Sequence, residues 1–237
     1  MNRFYILSKR TDDLVEAIYT NPTIPENCGI VEFDKSAGDY VGTKPCELCG
    51  VLPGSWRRHE PINIILPARR YDFIWGWIYD IFVTDRVMQL FEQAKFTGIG
   101  PRRANVVKVK GKHPPEEMPV VWDLDVIGNG GEPHPSSGVR VHEQCPLCGQ
   151  KFFTSRRNGI IVDEHNWDGS DFFRLESYLY LFITERVKDF IIEHKLKPCT
   201  IQLPETYQWE PTHKRAEDTP PRWPVRGKPS APIRGEG

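Results

Sequence analysis

The stretches Cys46-Glu47-Leu48-Cys49-Gly50 and Cys145-Pro146-Leu147-Cys148-Gly149 decide the fold of this chain. Each is a Cys-x-x-Cys sequence followed directly by glycine, and their first cysteines lie 99 residues apart. Two intervening residues let both thiolates turn toward one point, and the glycine tolerates the positive φ that leaves backbone N–H groups facing sulfur. Such a unit is a zinc knuckle, which supplies two of the four ligands of a structural zinc. The two knuckles therefore predict one structural Zn²⁺ held by Cys46, Cys49, Cys145 and Cys148.

A redox role is the alternative reading of these cysteine pairs, because a Cys-x-x-Cys can also be a catalytic dithiol or form a disulfide. A redox motif of the thioredoxin type opens a helix after a strand. Here the residues after each pair, Val51-Leu52-Pro53 and Lys151-Phe152-Phe153, have strand or loop character. This context favours structural zinc, and the spacing alone leaves the redox and disulfide alternatives open.

A second pair of segments repeats at nearly the same spacing as the knuckles. Phe82-Val83-Thr84-Asp85-Arg86-Val87 recurs as Phe182-Ile183-Thr184-Glu185-Arg186-Val187, which indicates an internal repeat. We therefore predict an α+β fold of two pseudo-repeated strand-rich modules, each with a zinc knuckle and a short helix, joined by one shared four-cysteine zinc site. The predicted boundaries are 1–110 for the first knuckle module, 111–203 for the second, packed on the first as one globular unit, and 204–237 for a flexible proline-rich tail.

Apolar periodicity predicts a helix behind each threonine of this repeat. Behind Thr84 and behind Thr184, apolar residues at i, i+3, i+4 and i+7 form one stripe, and Gly98 is predicted to end the first helix. The stripes are Val87, Leu90, Phe91, Ala94 and Val187, Phe190, Ile191, His194. Both helices should pack on one core, with His194 packed or half-exposed rather than acting as a metal ligand.

Short strands are predicted where β-branched and aromatic residues alternate or run between prolines and glycines. They are Phe4–Leu7, Ile30–Phe33, Ile62–Leu66, Ala104–Lys110, Val120–Val126 and Thr200–Leu203, and a small helix is predicted over Asp12–Tyr19. In the strand over 120–126, Asp123 and Asp125 are two positions apart. Because side chains alternate between the faces of a strand, we predict that both carboxylates form an exposed acidic row rather than a catalytic or metal site.

Composition limits the class of protein. The chain has 237 residues, of which 39% are apolar, and a net charge of −1. This length can bury a proper core without disulfides, and no stretch reaches the run of about eighteen apolar residues that a membrane span requires. The amino end lacks the features of a signal peptide, so we expect a cytoplasmic protein with reduced thiols. A charge near zero argues against extensive phosphate binding.

The motifs resemble a known family. The paired Cys-x-x-Cys-Gly sequences, the run Trp167-Asp168-Gly169-Ser170-Asp171-Phe172-Phe173 and the Phe182–Val187 segment are similar to the double-CXXCG motif family of myxobacterial immunity proteins, over roughly residues 1–203. This resemblance implies a cytoplasmic antidote that binds and neutralises a cognate polymorphic toxin. It places the four knuckle cysteines on the motif positions of the family and assigns no other residue.

Catalytic motifs are missing from the sequence, which favours an inhibitor over an enzyme. There is no glycine-rich phosphate loop, nucleophile elbow or His-Glu-x-x-His helix, and a closed site of four thiolates leaves no coordination position for a water. The alternative is a zinc-ribbon nucleic-acid-binding or adaptor protein that uses recurring arginines against phosphates. These arginines are Arg57, Arg58, Arg69, Arg70, Arg102, Arg103, Arg156 and Arg157.

An antidote needs a rigid docking surface with aromatic and arginine anchors more than it needs a pocket. Residues of these types lie near both knuckles in the sequence. We predict that the toxin docks on or beside the knuckles, with contacts from Arg57, Arg58, Arg156, Arg157 and Trp167.

Overall fold

The computed structural model of the chain describes residues 3–8, 32–33, 46–49, 62–66, 71–75, 80–111, 115–154, 159–176, 180–197 and 199–206. Within these ranges the fold mixes two α-helices and thirteen β-strands. The helices are α1 (Asp85–Gln93) and α2 (Glu185–Glu193). The strands are β1 (Phe4–Ser8), β2 (Glu32–Phe33), β3 (Asn63–Leu66), β4 (Phe73–Trp75), β5 (Ile81–Thr84), β6 (Ile99–Val109), β7 (Val121–Val126), β8 (Gly128–Asn129), β9 (Val141–Gln144), β10 (Lys151–Phe153), β11 (Phe172–Arg174), β12 (Leu181–Thr184) and β13 (Thr200–Gln202).

The strands form three sheets. The largest has six strands in the order β2-β3-β6-β7-β5-β4, the second has five in the order β13-β1-β12-β11-β8, and the third is the hairpin of β9 and β10. Neighbouring strands are antiparallel except for the parallel pairs β3 with β6 and β11 with β8. Strand β1 lies between β12 and β13, and β7 lies between β5 and β6. Strands that are distant in sequence are therefore neighbours in the five-stranded sheet.

The two helices pack on one hydrophobic cluster that also receives side chains from the two larger sheets. Val87 and Val187 are both fully buried in this cluster. Aromatic rings join the helices across it, with ring centroids 6.2 Å apart for Phe91 and Phe190 and 5.0 Å apart for Phe96 and Phe190. The apolar stripes predicted from the sequence therefore face a common core.

Both helices begin directly after the predicted threonines, whose backbone is extended. Neither threonine caps its helix through the side chain, and the Thr184 hydroxyl donates instead to Asp171 Oδ1 at 3.1 Å. The acidic residues Asp85 and Glu185 occupy the first helical position, where the helix dipole favours negative charge. The helix dipole thus favours these amino ends without a threonine cap.

The prediction that Gly98 ends the first helix is wrong. Helix α1 ends at Gln93, and Lys95 adopts the left-handed conformation after it, with φ 54°. Gly98 has φ +84° and serves a close approach, because a Cβ atom there would lie 1.9 Å from the carbonyl oxygen of Phe172. The glycine is required by packing between the two larger sheets rather than by the helix terminus.

The prediction that Asp123 faces solvent is also wrong. Asp123 is 6% exposed, and Arg102 Nη2 donates to its Oδ2 at 2.5 Å. Burial raises the pKa of Asp123 to about 6, although the ion pair with Arg102 opposes this rise. Asp125 is half-buried, with its Oδ2 3.8 Å from Arg102 Nε. Because the sheet buries apolar side chains on both of its faces, alternation along β7 does not identify a solvent face.

Several predictions fall on parts of the chain that are not described. The helix over Asp12–Tyr19, the first half of the strand over Ile30–Phe33 and the tail after residue 206 lie outside the described residues. The module boundaries at residues 110 and 203 stay predictions. In the described ranges, both helices are nine residues long, and neither is long and apolar enough to cross a membrane.

Candidate metal centre

The second knuckle is the loop of the β9–β10 hairpin. Gln144 pairs with Lys151, so the six residues between them form the loop that carries Cys145 and Cys148. The Cys145 N–H donates to the Gln150 carbonyl at 2.8 Å, and the Gly149 N–H donates to the Cys145 carbonyl at 2.9 Å. Gly149 has φ +77°, as the knuckle sequence predicts for the residue after the second cysteine. A short antiparallel hairpin thus presents both thiols at one end.

The first knuckle is described over Cys46–Cys49, which form a turn. Cys49 is buried, Cys46 is half-buried, and Leu48 between them is exposed. Gly50 lies outside the described residues. The turn brings the two thiols to one side, where they meet the second knuckle.

The structure brings all four predicted cysteines together. Their Sγ atoms lie within 4.8 Å of one another. Two of these distances join corresponding cysteines of the two knuckles, 3.9 Å between the Sγ atoms of Cys46 and Cys145 and 3.6 Å between those of Cys49 and Cys148. A tetrahedron with Zn–S bonds of about 2.3 Å has S···S edges of about 3.8 Å. The four thiols therefore fit a tetrahedral metal ion with four sulfur ligands.

The four thiols are not paired as disulfides. A disulfide joins its sulfur atoms at about 2.05 Å, whereas the Sγ atoms of Cys49 and Cys148 lie 3.6 Å apart, and no disulfide joins any of the four cysteines. Reduced thiols at tetrahedral spacing are what metal binding requires, and tetrahedral sulfur sites take zinc or iron.

Electrostatics within the group would favour a bound cation. Backbone N–H groups of Cys49 and Leu48 lower the pKa of Cys46 to about 7. The Gln150 N–H lowers the pKa of Cys148, but desolvation and hydrogen bonds with the other three thiols together outweigh it and raise this pKa to about 12. One thiolate therefore forms readily and the next is disfavoured, because like charges this close repel. A divalent cation at the centre would remove this penalty and allow four thiolates.

The surroundings of the site differ on its two sides. Cys49 and Cys145 are buried with Phe152 packed against them, whereas Cys148 is exposed. Leu147 beside it is 63% exposed. A metal bound here would be shielded on the inner side and close to solvent at Cys148.

The predicted partner contacts are described only in part. Arg57, Arg58, Arg156 and Arg157 lie outside the described residues. Trp167 is half-buried, and its ring meets Phe4 edge to face with centroids 5.0 Å apart. Its Nε1 donates to the Ser170 carbonyl at 3.0 Å. Much of the Trp167 side chain is thus used in packing, which leaves only part of it for a partner.

The structure also describes His194, Cys199 and two of the arginines considered for phosphate binding. His194 ends α2 and lies against Phe190, with ring centroids 4.1 Å apart, as the sequence predicts for a packed histidine. Cys199 is half-buried, and burial raises its pKa to about 11. Of the arginines considered for phosphate binding, Arg102 is bound to Asp123 and Arg103 is exposed.

Sequence reasoning missed two aspartates whose hydrogen bonds join segments that are distant in sequence. Asp171 is buried and accepts hydrogen bonds from the Thr97 N–H at 3.0 Å and from Arg186 Nη1 at 2.8 Å. Asp72 accepts from Arg86 Nη2 at 2.5 Å and from the Lys197 N–H at 3.0 Å. The signal was an Asp-Phe dipeptide that precedes each member of the predicted repeat.

Comparisons of the sequence with models of known families and with curated proteins find no match. The resemblance to double-CXXCG immunity proteins therefore rests on the motifs of this sequence.

Proposed function

We propose that this protein is a cytoplasmic immunity protein that binds and neutralises a cognate polymorphic toxin, with a structural zinc held by its two knuckles. The observation that carries the proposal is the convergence of Cys46, Cys49, Cys145 and Cys148, with Sγ atoms within 4.8 Å. These are the positions that the resemblance to the immunity family singles out.

A structural rather than catalytic metal is part of this proposal. Four sulfur ligands fill a tetrahedral zinc site, so no position is left for a water or a substrate. The role of this chain's residues is then to tie two segments 99 residues apart into one rigid body. Rigidity suits an inhibitor, because a preorganised surface loses less entropy when it binds.

The internal repeat belongs to the same proposal. We take residues 46–110 and 145–203 as two related α+β modules that share the metal. The support is that strand, helix and turn follow in the same order after each knuckle, with Phe73 paired to Val83 and Phe172 paired to Ile183.

The proposed docking surface is the face of the knuckles. In the described part of the chain, two of the exposed large apolar residues lie on the knuckles, Leu48 between the cysteines of the first and Leu147 between those of the second. Exposed apolar groups near one another commonly mark protein contacts. The proposed contacts with the toxin also include Arg57, Arg58, Arg156 and Arg157, together with the exposed part of Trp167.

The test is co-expression with the toxin gene expected beside this gene, scored by growth rescue and by co-purification. The Arg57→Ala/Arg156→Ala variant and the Leu147→Asp variant should each reduce protection while retaining the metal and the unfolding midpoint. Ile192→Asp is the matched control, because Ile192 is 61% exposed on α2 outside the knuckles. Full protection by both knuckle variants would place the inhibitory surface elsewhere.

The nucleic-acid or adaptor alternative has one structural observation in its favour, which is the ribbon-like hairpin of β9 and β10. Titration of RNA and DNA against the purified protein at rising salt separates the two functions. Affinity that falls steeply with salt would support phosphate contacts. No binding, together with rescue from the toxin, would support the immunity function.

A further inference from the structure

The sheets of the protein do not follow the order of the chain. Strand β1, at the amino end, pairs with β12 through Tyr5 and Ile183, and with β13 through Leu7 and Ile201. Strand β7, which begins the second half, pairs with β5 and β6 of the first half. Each half of the chain thus places its first long strand in the sheet of the other half.

The two inserted strands are held in the same way. Tyr5 Oη donates to Glu185 Oε1 at 3.1 Å, and Trp122 Nε1 donates to Asp85 Oδ1 at 2.8 Å. Both acceptors are the first residue of a helix. The backbone agrees, because the Glu185 N–H donates to the Arg3 carbonyl at 3.1 Å and the Asp85 N–H donates to the Val120 carbonyl at 3.2 Å.

The loop after each helix also makes a hydrogen bond with the other half of the chain. The Thr97 N–H, which follows α1, donates to Asp171 Oδ2 at 3.0 Å in the second half. The Lys197 N–H, which follows α2, donates to Asp72 Oδ2 at 3.0 Å in the first half. Matching contacts run in both directions across the molecule, as they do across a twofold axis.

We infer that the protein consists of two copies of one module that exchange their first strands. The partner that each module requires is therefore a second copy of the same module. The knuckles follow the same rule, because Cys46 Sγ lies 3.9 Å from Cys145 Sγ and Cys49 Sγ lies 3.6 Å from Cys148 Sγ. Neither module has a complete sheet or a complete ligand set without the other. The inference goes beyond the proposed function and is independent of the identity of any toxin.

Burial shows why an unexchanged module would be incomplete. The four residues Phe4 to Leu7 are at most 8% exposed within the sheet of the second module. Removal of β1 would uncover the apolar residues of β12 and leave its backbone groups unpaired on one side. A module could fill this gap only with an equivalent strand, which the other module supplies.

Cutting the full-length chain between the modules tests the exchange. The variant carries a protease recognition sequence in place of Lys112-His113-Pro114, between β6 and β7. After cleavage, the protein is analysed by size-exclusion chromatography with and without a metal chelator. Because β1 and β7 each remain inserted, the two fragments should elute together in both buffers. Separation on cutting, or on chelation of the cut protein, would overturn the inference.

Hydrogen exchange of the cut protein provides a second measurement. The amides of β1 should exchange as slowly as those of β12, and the amides of β7 as slowly as those of β5. Fast exchange confined to β1 and β7 would show that these strands do not hold the fragments together, which also overturns the inference.

The equivalence of the modules is tested by moving an ion pair from one to the other. Ile6 pairs with Gln202 and Phe182, whereas Asp123 pairs with Arg102 and Phe82. Ile6→Asp should lower the unfolding midpoint of the full-length protein, and adding Gln202→Arg should restore part of the loss. Ile6→Asp with Thr200→Arg is the control, because Thr200 pairs with Ser8 instead. Absence of rescue by Gln202→Arg, or equal rescue by Thr200→Arg, would contradict the equivalence.

Discussion

Replacing one ligand of the metal site tests the central feature of this protein. In Cys148→Ser the side chain loses its thiolate while keeping its size and, because Cys148 is exposed, it creates no buried cavity. A metal that joins the two knuckles closes a loop of 99 residues, counted from Cys46 to Cys145. Cross-linking a loop of this length reduces the entropy of the unfolded chain by an amount equivalent to about 5 kcal/mol. Because three thiols remain, Cys148→Ser should lose part of this, about 2–5 kcal/mol.

The assay is unfolding in guanidinium chloride, with the metal content measured on the same samples. Chelator should lower the midpoint of the wild type by at least as much as the Cys148→Ser substitution does, and it should lower the midpoint of the variant by less, because part of the stabilisation is already lost there. Cys199→Ser is the matched control, because the Cys199 thiol lies outside the site and contacts the Leu196 carbonyl at 3.7 Å, where a serine hydroxyl can also donate. Equal midpoints for the wild type and Cys148→Ser, or a wild type insensitive to chelator, would refute a stabilising metal.

Three further outcomes are expected. Gly98→Ala should lower the free energy of unfolding by about 2–4 kcal/mol, because the new Cβ would clash with the Phe172 carbonyl. Gly169→Ala is the control and should lower it by about 1 kcal/mol, since Gly169 has φ +85° but no atom within 4 Å of the Cβ position. Equal losses would contradict the close approach at Gly98. Folding raises the pKa of Asp123 to about 6 from about 4, so the folded state binds more protons than the unfolded state between these values. The contribution of Asp123 to stability should therefore fall as pH rises from 4 to 6. The difference in free energy of unfolding between the wild type and Asp123→Asn should change over this range, and a difference independent of pH would contradict the prediction. A thiol oxidant added to the chelated protein should form disulfides that join Cys46 to Cys145 and Cys49 to Cys148, because these Sγ atoms are 3.9 Å and 3.6 Å apart. Peptide mass spectrometry would identify the disulfides. Disulfides found only within each knuckle would argue against this pairing.

The convergence of the four cysteines was predictable because ligand chemistry is local. Two Cys-x-x-Cys-Gly sequences specify the ligand type and the turn that presents it, whatever sheets surround them. The same holds for α1 and α2, since an apolar stripe at helical spacing indicates both the helix and its buried face. Val87 and Val187 are buried as this spacing predicts.

Strand pairing was beyond the reach of local patterns. Tyr5 contacts Glu185, 180 residues away, and nothing in the composition of Phe4–Ser8 selects β12 over β5 as its neighbour. Alternation along β7 was correct as a strand signal, yet it placed Asp123 in solvent. The prediction was wrong because Arg102, which donates a hydrogen bond to the buried Asp123 carboxylate, lies on a different strand. Long-range pairs of this kind become visible only when the sheets are assembled.

Strand exchange connects the two halves, a metal at the knuckles would connect them a second time, and the two connections act on different states. The metal would mainly restrict the unfolded chain, because it would join positions far apart in sequence. Strands β1 and β7 instead stabilise the folded state, through buried side chains and through the hydrogen bonds to Glu185 and Asp85. Loss of the metal should therefore lower stability while the arrangement of the sheets is retained. On the proposed function, in which the toxin docks on the face of the knuckles, the metal-free protein should lose affinity for the toxin although its sheets are retained, and unchanged affinity would place the docking surface on the sheets.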